Sequence, residues 1–220
     1  MERKFIFSED EFYHGYNRGV EKRGIFLSDR DYMRFVRLLY VANGTRSFVY
    51  RDIEDKAFAD IDRGEPLVAI GAWALMPNHF HILVKEIREG GISAFMKKLL
   101  TGYSAYFNKL NERVGPLFQG TFQAQHADSD EYLKYLFAYI HLNPVKLRDP
   151  LWKEHGLQSI DKTKQFLSAY RYSSYLDYQG GEREEGLILS REQFPQYFLN
   201  AKDFDELMTD WLTFQPGTNT

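Results

Sequence analysis

The stretch "PLVAIGAWALMPNHFHILVKEI", residues 66–87, decides the fold. Two apolar runs of strand length, 66–77 and 79–87, are broken at Pro77-Asn78, a turn dipeptide, so the segment reads as a β-hairpin. Side chains alternate across a strand, which puts His79 and His81 on one face and Phe80 on the other. Two neutral imidazoles on a rigid strand suit a divalent ion, imidazole being the commonest protein metal ligand. Packed or surface histidines with satisfied hydrogen bonds fit the same pattern, and His-x-His alone does not choose between the two.

Outward from the hairpin the periodicity changes. Upstream, "EFYHGYNRG" (11–19) is an aromatic, strand-like run ending in glycine. It is followed by "SDRDYMRFVRLLYVANG" (28–44), which opens with a Ser/Asp cap and spaces its apolar residues as a helix does. Downstream, Ile92, Phe95, Met96, Leu99, Leu100, Tyr103, Tyr106 and Phe107 mark a second helix, and "GPLFQGTFQAQHA" (115–127) returns to extended sequence. The order β-α-β-β-α-β predicts an α+β, ferredoxin-like antiparallel sheet with two helices on one face.

An additional helix over "SDEYLKYLFAYIHLN" (129–143), capped by Asp128 or Ser129, is expected to stop at Asn143-Pro144, because proline pushes the preceding residue out of the helical region. Beyond it, "SAYRYSSYLDYQGG", "SREQFPQYFLN" and "KDFDELMTDWLTF" read as short helices, with a fraying end at "QPGTNT". The expected division is a domain over 1–147 and a helical extension, 148–220, packed on it.

Composition bounds the chemistry. The 220 residues, 44% hydrophobic and 16% aromatic, suffice for one good core. With no cysteine, a disulfide framework, a thiolate metal site and a cysteine nucleophile are excluded. No apolar run approaches the roughly 20 residues needed to span a bilayer, and none resembles a signal peptide, so no membrane partner and a cytoplasmic location are expected. A formal net charge of −3 excludes a protein that coats nucleic acid by charge alone. The charge is uneven. Arg18, Lys22, Arg23, Arg30, Arg34 and Arg37 outnumber Glu21, Asp29 and Asp31, whereas the tail after Gly180 is acidic and unsuited to direct DNA contact. A basic front fits a polyanion partner; it also fits a solvated helix face.

The ordered set "YHGYNRG" (13–19), "IFLSDRDYMRFVRLL" (25–39), "WALMPNHFHILV" (73–84), "GPLFQGTFQAQHADSDEYLKYLFAYIHLNPVKL" (115–147) and "YSSYLDYQG" (172–180) closely resembles the REP-associated tyrosine transposases. These are single-tyrosine members of the His-hydrophobe-His (HUH) superfamily, and the resemblance spans about residues 12 to 180. It implies a metal-dependent nuclease that cuts and rejoins single-stranded or hairpin DNA, such as repetitive extragenic palindromes, through a 5′-phosphotyrosine. Carried over, the paired histidines are His79 and His81. The family's segment Tyr-Ile-His-x-Asn-Pro reads Tyr139-Ile140-His141-Leu142-Asn143-Pro144, which makes Tyr139 the nucleophile.

On a helix Tyr139 and Asn143 share a face, so Asn143 is the candidate third metal contact, with Mg²⁺ or Mn²⁺ as the ion. His141 is rotated away and fits either packing or a DNA or metal contact. His126 is a second supplementary histidine. For DNA the candidates are Asn17 and Arg18, which with Gly19 match a family motif, their neighbours Lys22 and Arg23, Lys97 and Lys98 on the second helix, and Gln119, Gln123 and Gln125 on the last strand. Both a monomer and a homodimer fit. Two other readings stay open: a catalytically inactive single-stranded DNA- or RNA-binding module of the same fold, and a metal-dependent hydrolase that uses water.

Overall fold

The computed structural model describes residues 6–213; the terminal "QPGTNT" lies outside the described residues. Strand β1 (Phe12–Arg18) leads to helix α1 (Asp29–Val41). The hairpin follows as β2 (Val68–Met76) and β3 (His79–Glu86), then α2 (Gly91–Leu110), the short β4 (Gln123–His126) and α3 (Asp130–Leu142). The sheet is antiparallel throughout with order β2-β3-β1-β4. This is the expected βαββαβ plan. The extension adds α4 (Trp152–His155), α5 (Ile160–Ala169), α6 (Tyr175–Tyr178) and α7 (Ala201–Thr213). "SREQFPQYFLN" forms only a single 3₁₀ turn, Arg191–Gln193. Among the described residues no helix is long and apolar enough to cross a membrane.

The strand period of two sorts the core into layers. Phe80, Ile82 and Val84 of β3 face α1 and α2, meeting Phe35, Leu39, Phe95, Met96 and Leu99. On the opposite face Ala72, Ala74 and Leu83 meet Leu136, Phe137 and Ile140 of α3, and the same cluster takes in Leu167, Tyr178, Phe204 and Met208 of the extension. The small alanines of β2 let the α3 backbone come close to the sheet.

Two local devices fix the frame. Asp31 accepts hydrogen bonds from the backbone of Leu27 and Ser28 (2.9 and 3.0 Å) and from the Tyr106 hydroxyl (2.8 Å), tying the start of α1 to α2. The outer edge of β2 is covered by Tyr172-Ser173-Ser174, with Leu75 N–H donating to Tyr172 O and Ser174 N–H to Trp73 O, each at 2.9 Å. A covered edge cannot pair with another chain. The "YSSY" stretch thus closes the sheet.

Candidate active site

Register decides what meets on the α3 side of the sheet. In the β1–β3 pair Tyr16 lies opposite His81 and Arg18 opposite His79, and partners directly across an antiparallel pair point to the same face. That face therefore carries His14, Tyr16 and Arg18 of β1 beside His79 and His81 of β3, with Gln125 and Gln123 of β4 across from His14 and Tyr16. Three imidazoles cluster there. The His79 and His81 rings are 5.0 Å apart, as are the His14 and His81 rings, and His14 Nε2 lies 2.9 Å from His81 Nδ1.

His14 is the residue that sequence reasoning missed. The alternation of His14, Tyr16 and Arg18 was legible in "YHGYNRG", but only the β1–β3 register brings His14 to His81.

Burial keeps all three imidazoles neutral. It holds His14 down at about 4. His79 is also pushed down to about 4, by burial and then by the nearby Lys146 and Arg18 cations. His81 is pushed well below its ordinary value by burial, then by His14, His79 and Lys146. Neutral rings are the form that binds metal.

The tautomers follow from the neighbours. Asn78 Nδ2 donates to Lys22 O (3.1 Å), which turns Asn78 Oδ1 toward His79 Nδ1 at 2.6 Å. His79 Nδ1 therefore carries the proton and Nε2 is bare. On His81, Nε2 is buried without a partner. If His81 donates its Nδ1 proton to His14, that orphaned atom is a lone pair, which is how outer partners orient ligating histidines.

Helix α3 crosses this face. Its N-cap Ser129 accepts from Tyr132 N–H at 3.2 Å, and acidic Asp130 and Glu131 suit its positive end. At its other end the α-helix stops at Leu142 with Asn143 as its C-cap, as expected, but Asn143 keeps helical dihedrals (φ −55°, ψ −40°) and a 3₁₀ turn, Asn143–Leu147, follows. Asn143 thus stays one turn beyond Tyr139, and the two line one pocket. The half-buried Tyr139 ring sits 5.4 Å from His81 and 5.6 Å from His14, nearly perpendicular to both. Asn143 is buried and its Nδ2 has no partner. Among the described residues no three His, Asp or Glu side chains converge as a ligand set. A metal here would rest on two imidazoles and an amide.

The remaining candidates separate. Arg18, Gln119 and Gln123 line a groove beside His79 together with Tyr16, and Arg18 Nη2 donates to Gln119 Oε1 at 3.2 Å. Gln119 precedes the strand: β4 is only four residues long, and Gln119 N–H is held by Arg18 O at 2.8 Å. Lys22 is exposed beside the Asn78 turn, and Arg23 pairs with Glu21 at 3.5 Å.

Asn17 lies opposite Phe80 in the register and also lines this groove. It is buried and ties the strand end to Gly120 O (3.4 Å). Lys97 and Lys98 belong to α2, across the sheet from the histidines, and Lys98 Nζ is bound to the carbonyls of Gly44 and Arg46. His126 also faces away, opposite Tyr13, and bonds Glu11 Oε2 at 2.7 Å. Alternation along the strand turns His126 away from the imidazoles.

His141 is a structural residue. Its Nδ1 donates to Phe137 O at 2.8 Å, so its Nε2 accepts from Ser174 Oγ at 2.7 Å, and burial pushes it down to about 3. Ser174 Oγ also accepts from Trp73 N–H at 2.9 Å. The chain His141–Ser174–Trp73 fastens α3, and with it Tyr139, to β2. Ser174→Ala leaves two buried polar groups unpaired and is expected to cost about 2–4 kcal/mol of stability, read as a lower urea midpoint at unchanged m-value.

A pair of strand histidines faced by a helical tyrosine, on a sheet of order β2-β3-β1-β4, defines the class of architecture. In fold the chain is similar to a solved REP-associated tyrosine transposase bound to a REP hairpin. The match covers 84% of this chain and 90% of that one at 15% identity, with a TM-score of 0.51. No protein-family model and no curated protein matches the chain.

Proposed function

We propose that the protein is a REP-associated tyrosine transposase or a domesticated derivative, cutting and rejoining hairpin-bearing single-stranded DNA through Tyr139. The observation that carries this reading is the seating of the Tyr139 ring against His81 and His14, with His79 alongside. His79, His81 and Asn143 would hold Mg²⁺ or Mn²⁺, and the orphaned His81 Nε2 supports that assignment. When bound, the ion supplies Lewis-acid polarisation of the scissile phosphate.

The chain's own residues do the rest. Tyr139 Oη attacks phosphorus, the bond from phosphorus to the 3′-oxygen breaks, and the strand is left as a 5′-phosphotyrosine and a free 3′-OH. One proton leaves the phenol and one reaches the 3′-oxygen, so the exchange of one phosphodiester for another is balanced and reversible. Lys153 lies beside the nucleophile, its Nζ 5.5 Å from the Tyr139 ring centroid. Arg18, Gln119 and Gln123, with Lys22 and Arg23 near the strand end, form the face over which the DNA backbone runs.

The test is a denaturing gel of protein incubated with Mn²⁺ and a labelled hairpin oligonucleotide bearing single-stranded flanks. A covalent protein–DNA band that disappears with chelator is expected. DNA binding without a band would leave a binding module, and cleavage without a band a hydrolase that uses water.

A further inference from the structure

Next to Tyr139, residues of α3, α4 and α7 line a pocket of about 230 Å³ that brings together Tyr135, Tyr139, Trp152 and Trp211 with Lys146 and Lys153. We propose that this pocket binds one unpaired nucleotide of the DNA strand beside the scissile phosphate, the base against the aromatic rings and its phosphate on the two lysines. The inference rests on the function proposed above for the position of the cut, but the pocket's chemistry stands apart from it.

The lining selects the occupant. Its only charged side chains are two lysines, with no carboxylate among them. Neither lysine forms an ion pair with any described residue. Lys153 Nζ lies 5.5 Å from the Tyr139 ring and 5.6 Å from the Trp152 ring. Burial and the neighbouring Lys146 both disfavour its charged form. Two cations left facing each other over aromatic walls are complementary to a ligand that is flat, apolar on its faces and anionic at one end. A nucleotide has that make-up, and base–aromatic stacking tolerates any sequence.

Position agrees. The pocket shares Tyr139 and Asn143 with the candidate centre, while the polar groove of Arg18, Gln119 and Gln123 meets that centre at His79. A single strand entering by the groove reaches the pocket after passing the histidines. The acidic tail thereby gains a part in DNA binding. What α7 offers the pocket is the Trp211 ring, tilted against Tyr135 with the centroids 5.1 Å apart, while Asp205 is paired with Lys164 and Asp203 accepts from Leu199 N–H.

The probes are fluorescein-labelled dT12 and a blunt 12-base-pair duplex, with anisotropy and intrinsic tryptophan emission as readouts. Of the three tryptophans, Trp73 is fully buried in the other core, away from the pocket, so a change in emission on DNA binding reports mainly on Trp152 and Trp211. Binding of dT12 is expected to quench this emission. Trp211→Ala is expected to weaken dT12 about tenfold while leaving the duplex unchanged. Because Trp211→Ala can disturb packing on Tyr135, Lys153→Gln at an exposed position gives a second reading. It is expected to weaken dT12 several-fold and to reduce the salt slope by about 0.7.

Unchanged dT12 affinity in Lys153→Gln together with unquenched emission overturns the proposal. So does a Trp211→Ala protein that changes only from dimer to monomer, which would make the pocket a contact between copies. Failure of the catalytic reading is seen separately, as wild-type protein that forms no adduct yet loses dT12 binding in these variants.

Discussion

Tyr139→Phe is expected to lower strand cleavage by at least about a thousandfold and to abolish the covalent adduct, while hairpin affinity changes less than about twofold. The asymmetry follows from what the substitution removes. The ring, which packs on His14, His81 and Tyr135, is retained; only the attacking oxygen is lost. The measurement is single-turnover cleavage with Mn²⁺ beside an anisotropy titration of the same oligonucleotide. Tyr16 is the other phenol against His81, at 6.0 Å, and lies on the groove. An adduct that survives in Tyr139→Phe and maps to Tyr16 by mass spectrometry would move the nucleophile from the helix to the strand and sink the assignment of Tyr139.

The local chemistry of this chain was written openly in its sequence. Alternation placed His79 and His81 together, turn chemistry at Pro77-Asn78 gave the hairpin, and helical spacing put Asn143 one turn beyond Tyr139. What eluded reading was non-local. A strand's face is legible only relative to its partner, so nothing in "YHGYNRG" said that His14 meets His81. The four-residue β4 was overestimated because the extended sequence before it, through buried Leu117 and Phe118, pairs with the chain after β1 only as the isolated bridge Gly19–Phe118 and not as a continuous strand. His141 stood open between packing and contact until Ser174, thirty-three residues downstream, took its second nitrogen. The α-helix ends before Pro144 as the local rule says, but Asn143 was not pushed out of the helical region, and Pro144 opens a 3₁₀ turn. The Trp211 wall of the pocket depends on a helix that was legible in "KDFDELMTDWLTF", but whose place against Tyr135 was not.

His81→Ala is expected to weaken Mn²⁺ binding in the absence of DNA by more than the about 100-fold that loss of an outer partner costs, while leaving it measurable, and the behaviour of His14 then distinguishes a ligand from a residue that orients one. If His14 acts through its 2.9 Å contact, it accepts the Nδ1 proton of His81 and leaves His81 Nε2 bare toward the ion. Loss of that acceptor frees the ring and its tautomer, and loss of an outer partner of a ligating histidine costs about 10- to 100-fold in metal affinity. His14→Ala should therefore weaken Mn²⁺ by that factor, read by calorimetry or by the free-ion electron paramagnetic resonance signal. The double variant should be no worse than His81→Ala alone, because a residue that works through another has nothing left to orient. Were His14 itself a ligand, His14→Ala would retain weak binding through His79 and His81, and its loss would add to that of His81→Ala in competition with a chelator. Wild-type Mn²⁺ affinity in His14→Ala would reduce the contact to packing. His81→Ala that still binds Mn²⁺ with wild-type affinity would remove the metal from this face of the sheet altogether, and the proposed mechanism with it.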